Sequence, residues 1–95
     1  MSAVADEQRA VLQIKNRLGL HARAAAQFVQ TAQKFDAEVT VSKDDQMVNG
    51  RSIMGVMMLA AEQGSHIEVV ATGPQAAEAL QAIAALLEAR FNEAE

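Results

Sequence analysis

Apolar and polar residues alternate over residues 9–15, with Ala10, Leu12 and Ile14 on one face and Val11, Gln13 and Lys15 on the other. A period of two predicts a half-buried strand. Over residues 22–34 the period becomes helical. Ala25, Phe28, Val29, Ala32 and Phe35 form an inward stripe, and Gln27, Gln30, Thr31 and Lys34 point away. Alternation returns over residues 37–43, with Ala37, Val39 and Val41 inward. Asp44-Asp45 then marks a turn and Met47-Val48 a short returning strand, so the pair predicts a hairpin. Asn49-Gly50-Arg51 breaks that strand. Ser52 is a good N-cap for a short helix over residues 53–61. This helix is apolar on every side. Ile53, Val56, Met57 and Ala60 are expected to face inward, and Val56 and Leu59 to belong to the core, leaving Met54 and Met58 near solvent. Gln63-Gly64-Ser65 stops the helix. A strand over residues 66–71 turns Ile67, Val69 and Ala71 inward and His66 outward. Thr72-Gly73-Pro74 opens a last helix, with Pro74 expected at its first position and Arg90 suited to its C-terminal end. Its inward stripe is Ala76, Leu80, Ile83, Ala84, Leu87 and Phe91.

The predicted order is β-α-β-β-α-β-α. Each strand has one apolar and one mostly polar face, which suits an α+β fold with an antiparallel sheet, helices on one side and water on the other. Residues 1–8 lack periodicity and are expected to be a disordered N-terminal extension, with one domain over residues 9–95. The 95-residue chain is 51% hydrophobic but only 3% aromatic, so its single core must be built from aliphatic residues. With no cysteine and two widely separated histidines, neither a disulfide framework nor a metal site is expected, and no cofactor is implied. No run is long and apolar enough to span a membrane, and the start lacks a basic-then-apolar leader. A soluble cytoplasmic monomer without membrane insertion is expected. A net charge of −4 and the lack of Trp and Tyr argue against a nucleic-acid partner.

Charge is unevenly spread. No acidic residue lies between Glu7 and Asp36, where Arg9, Lys15, Arg17, Arg23 and Lys34 are all basic, and none lies between Asp45 and Glu62. A local positive field around these two stretches, the first carrying His21 and the second Ser52, would favour phosphate and steer in an acidic partner. His21 stands just ahead of the first helix, where free N–H groups and the helix dipole attract anions. The dipole disfavours a protonated ring, so a neutral imidazole with a lone pair free to attack is expected. Arg23 can offer its donor fork to phosphate oxygens. Chemically this is a place to accept a phosphoryl group on histidine. The alternative is that His21 only caps the helix and Arg23 is a solvated surface residue.

Two stretches resemble a known family. Gly19-Leu20-His21-Ala22-Arg23 is similar to the active-site motif of the HPr family, the histidine-containing phosphocarriers of the bacterial sugar phosphotransferase system. Asn49-Gly50-Arg51-Ser52-Ile53-Met54-Gly55-Val56-Met57 is similar to its regulatory serine motif, in the family's order and at a family-like separation. The resemblance implies an open-faced β-sandwich with sheet order 1-4-2-3. It implies a carrier that takes a phosphoryl group from phospho-Enzyme I on the Nδ1 of His21 and passes it to EIIA-type domains, without itself being an enzyme. By the same resemblance Arg23 assists at the phosphorylated ring, and Ser52 is the substrate of HPr kinase/phosphorylase. Leu20, Ala22, Ile53, Met54 and Met57 fall on the docking surface. Ala24 stands where the family usually has proline, which adds a backbone N–H and loosens φ. The serine motif also allows a second reading, a mainly regulatory module with Ser52 as switch and little or no sugar uptake.

Overall fold

The computed structural model describes residues 6–94. Strands β1 (Glu7–Gln13), β2 (Glu38–Lys43), β3 (Gln46–Asn49) and β4 (His66–Thr72) form one antiparallel sheet in the order β1-β4-β2-β3. Helices α1 (Ala22–Ala32), α2 (Ile53–Met58) and α3 (Ala76–Glu88) complete the β-α-β-β-α-β-α order. The register explains why only one face is covered. Ala10 and Val41 both lie opposite Val69, Leu12 opposite Ile67, and Val39 opposite Ala71. Cross-strand partners share a face, so these form one apolar surface. The other face carries the pairs Val11 with Glu68 and Ser42 with both Glu68 and Met47, and stays open to water.

Phe28 of α1 and Phe91 beyond α3 are the largest fully buried side chains, packed with Ile14, Ile67 and Ile83. Each such burial contributes about 1.5–3 kcal/mol. Alanines fill the closest approaches: Ala24, Ala25 and Ala32 on α1, and Ala76 and Ala79 on α3. Helix α1 packs on α2 and α3, and α3 lies on β1 and β4.

Several boundaries differ from the expected ones. Of the extension expected over residues 1–8, residues 1–5 lie outside the described residues. Glu7 and Gln8 belong to β1, opposite Thr72 and Ala71. Helix α1 ends at Ala32, because Lys34 and Phe35 bond back only three residues, to Thr31 and Ala32. That tighter turn leads Ala37 into the core, and Phe35 is half-buried. Pro74 sits in the turn before α3 rather than at its first position, and Ala79 joins the inward stripe while Leu80 and Ala84 are half-buried.

The largest correction concerns α2. Ile53 and Met57, placed inward by the hydrophobic pattern though on the docking surface by the resemblance, are 41% and 37% exposed, and Ala60 is also exposed. The helix stops at Met58. The N–H groups of Leu59 and Ala60 bond back three residues, and Ala60 takes φ 50°. This left-handed step turns Leu59 and Ala61 into the core, with Val56 the buried residue of α2 itself. Helix α2 leans on α1 and β3, so one narrow stripe of it is covered.

Arg90 does not serve as a helix C-terminal charge. Arg90, Phe91 and Asn92 form a tight left-handed turn with φ of 55°, 54° and 62°. For residues other than glycine this costs about 1–2 kcal/mol each. The turn folds Phe91 back into the core and sends Glu93 toward the loop between β1 and α1.

Candidate functional site

The loop from β1 to α1 is pinned from several sides. Ile14 donates its N–H to the Ser65 carbonyl at 2.9 Å, and Leu20 donates to the Ala61 carbonyl at 2.9 Å. Gly19 has φ 68°, and a Cβ there would run into the Ala61 carbonyl oxygen, so only glycine lets the loop pass the end of α2. Asn16 is fully buried, and its Nδ2 donates to the Gly19 carbonyl at 2.8 Å.

This loop delivers His21 as the N-cap of α1, in an extended conformation. Ala25 is the first residue to bond back four, its N–H reaching the His21 carbonyl at 2.8 Å. The N–H groups of Ala22, Arg23 and Ala24 precede it, and that of Arg23 donates to His21 Nδ1 at 3.3 Å. On the other side of the ring, Nε2 lies 2.6 Å from Glu93 Oε2. The second carboxylate oxygen, Oε1, accepts from Asn16 Nδ2 at 3.1 Å. Burial pushes the Glu93 carboxyl up, but hydrogen bonds from His21 and Asn16, with the charge of His21 when protonated and that of Arg23 nearby, outweigh it and hold the group below its ordinary value. Glu93 is therefore an acceptor and the Arg23 N–H a donor. With those two partners, a neutral ring carries its proton on Nε2 and its lone pair on Nδ1. That lone pair faces the positive end of α1.

A cleft of about 410 Å³ adjoins the ring, lined by Arg17, Leu18, Leu20, His21, Ala60, Ala61, Glu62 and Gln63. A second, of about 250 Å³, brings Arg17 and Leu18 against Arg23, Glu93 and Ala94. The stretch that is free of acids in sequence is thus not free of them in space. Glu93 and Glu62 fold into it beside Arg17 and Arg23.

Of the residues expected at the site, His21 and Arg23 meet through the Arg23 backbone N–H, and Ala22 is exposed beside them. Leu20, expected on the docking surface, is only 4% exposed: it packs in the core beneath the loop and reaches the surface at the cleft wall. Ile53, Met54, Met57 and Met58 form an exposed apolar surface on α2, whose C-terminal end reaches the cleft through Ala60 and Ala61. Ser52 caps α2, its Oγ accepting the Gly55 N–H at 3.0 Å. The Arg51 guanidinium donates to the Ala37 carbonyl at 3.1 Å. Asn16, Leu18 and Glu93 were not anticipated at the site. Leu18 had a local signal, an apolar residue in a turn. Glu93 had none.

A family model described as the PTS HPr component phosphorylation site matches residues 8–89. Phosphocarrier protein HPr of Neisseria meningitidis serogroup A is 51% identical over 84 residues, covering 88% of this chain and 94% of that one. Among solved structures, HPr-C-His from Thermoanaerobacter tengcongensis superposes with a TM-score of 0.89 at 44% identity, covering 93% of this chain and 99% of the other. HPr from Bacillus anthracis superposes with a TM-score of 0.80, also at 44% identity, covering 83% and 94%. In the fold, the site motif and these likenesses alike, the chain belongs to the HPr family of phosphocarrier proteins of the phosphotransferase system.

Proposed function

We propose that this chain accepts a phosphoryl group from phospho-Enzyme I on Nδ1 of His21 and passes it to EIIA-type domains. The observation that carries the reading is the position of one atom. Nδ1 holds the ring's lone pair at the N-terminus of α1, where it accepts the Arg23 N–H. As that lone pair forms the N–P bond, the bond between phosphorus and the donor breaks, and its electron pair leaves with the donor. The Arg23 N–H loses its acceptor on Nδ1 and gains a phosphate oxygen, a charge-assisted bond in place of a neutral one. The Arg23 side chain, on the wall of the adjoining cleft, supplies further donors.

Partners dock on the exposed apolar residues Ile53, Met54 and Met57 of α2 and on Ala22 beside the ring. Phosphorylation of Ser52 by HPr kinase/phosphorylase then adds about 1.5–2 negative charges next to Ile53 and Met54. A partner would have to bury those charges, so docking weakens while the helix cap survives. Ser52→Asp is expected to keep its stability and lose affinity for Enzyme I, and Ser52→Ala to keep affinity.

The test is incubation of the full chain with Enzyme I and phosphoenolpyruvate. Acid-labile, base-stable phosphate is expected on the wild type and on His66→Ala, and none on His21→Ala. Full acceptance by His21→Ala, or label on His66, overturns the relay. The helix cap that His21 makes, with the exposed methionines, also favours a second reading, a regulatory binding module switched at Ser52. A wild-type chain that binds Enzyme I yet forms no phosphohistidine would establish that reading.

A further inference from the structure

We propose that Glu93 is a positioning residue of the relay: from the C-terminal segment it holds the Nε2 proton of His21 and counters the positive charge the ring takes up as Nδ1 is phosphorylated. The inference rests on the relay reading above.

Three observations converge on this. The carboxylate is 14% exposed and spends both oxygens at the site, one on Nε2 at 2.6 Å and one on Asn16 at 3.1 Å. Asn16 is itself fully buried and anchored to the Gly19 carbonyl, so the carboxylate is fixed to the same loop that presents the histidine. The Asn16 Oδ1 is buried without a partner, a cost accepted so that Nδ2 can face two acceptors. The chain reaches this position only through the left-handed turn at Arg90, Phe91 and Asn92, which Phe91 locks into the core. Backbone strain that persists in this way marks a conformation over-determined by its surroundings.

The step balances without a lost proton. The Nδ1 lone pair becomes the N–P bond, and the donor keeps the electrons of the bond it loses. The ring becomes a phosphoimidazolium with its proton still on Nε2, hydrogen-bonded to Glu93 Oε2. Onward transfer reverses this, the N–P electrons returning to Nδ1. A fixed carboxylate beside Nε2 stabilises the charged ring in both directions, as a buried carboxylate does for a general-base histidine.

Two variants separate this role from simple tail packing. Glu93→Ala removes the charge and leaves the ring free to choose its tautomer. Glu93→Gln sets up a conflict, because Asn16 requires the amide oxygen and the amide nitrogen then faces Nε2. Satisfying both forces the proton onto Nδ1, which can no longer attack. Nitrogen NMR of the full chain labelled at histidine reads the tautomer without any phosphoryl chemistry. Acceptance from phospho-Enzyme I reads the rate. The wild type is expected in the Nε2–H form. Glu93→Ala should accept about tenfold more slowly. Glu93→Gln should shift toward the Nδ1–H form and be slower still. Variants that accept at the wild-type rate with an unchanged tautomer, whatever their melting temperature, overturn the inference and leave the relay standing. A wild type that accepts nothing overturns the relay, and this inference with it.

Discussion

Replacing Gly19 by alanine tests how tightly the His21 loop is held. Two costs combine there. The left-handed φ of 68° strains an alanine by about 1–2 kcal/mol. The new methyl meets the Ala61 carbonyl oxygen, which already accepts the Leu20 N–H at 2.9 Å. Either that hydrogen bond stretches, at about 0.5–1.5 kcal/mol, or the backbones part against a packed core, at about 1–3 kcal/mol. Gly19→Ala is therefore expected to destabilise by about 1.5–5 kcal/mol, lowering the melting temperature of a domain this size by roughly 6 °C or more. Gly64→Ala is the control. It has a positive φ of 91°, but a Cβ there meets nothing within 4 Å, so backbone strain acts alone and the loss should be about 1–2 kcal/mol. Thermal melting of both variants gives the comparison. Phosphoryl acceptance, measured well below each melting temperature, should fall in Gly19→Ala and hold in Gly64→Ala, because only the first moves His21 against α1. Equal losses in the two variants would refute the reasoning. They would mean that the loop yields freely at Ala61 and that the site is not pinned through it.

Arg23→Ala keeps the backbone N–H that bonds Nδ1 and loses the guanidinium. It should slow transfer of order tenfold while barely changing Enzyme I affinity, and an unchanged rate would show that backbone donors suffice. Met54 is 70% exposed, so Met54→Glu should weaken docking with little change in melting temperature. A large melting shift with docking intact would contradict its surface role. Glu93 is held below its ordinary value in the fold, so its share of stability is fully present above the unfolded value and is lost as pH falls through the lower, folded value. Acid titrations of the melting temperature should show that loss in the wild type and not in Glu93→Gln.

The faces of β1, β2, β4, α1 and α3 were legible because a period of two or of 3.6 survives any later packing. The N-caps His21 and Ser52 were legible because capping is a local bond, made within three residues. Helix α2 was not. An apolar run with no polar side carries no phase, so Ile53 and Met57 could be placed on either face, and contact with α1 and β3 decided it. The left-handed residues Ala60, Arg90, Phe91 and Asn92 were also hidden, since none is glycine and their dihedrals are imposed by what lies beyond them.

The chain's local pattern thus specifies an antiparallel sheet with helices on one face, and a histidine at the start of a helix near an arginine. It also suggests a site free of acids, because charge was read along the chain. Folding changes that. Glu93, 72 residues from His21 in sequence, arrives within hydrogen-bond distance of the ring. Periodicity encodes which side of an element is apolar, and capping encodes where a helix begins; both are settled within a few residues. The tautomer of His21 and the charge beside it depend on where the far end of the chain comes to rest. Phe91 in the core and Asn16 under the loop set that position, through contacts that no local pattern records.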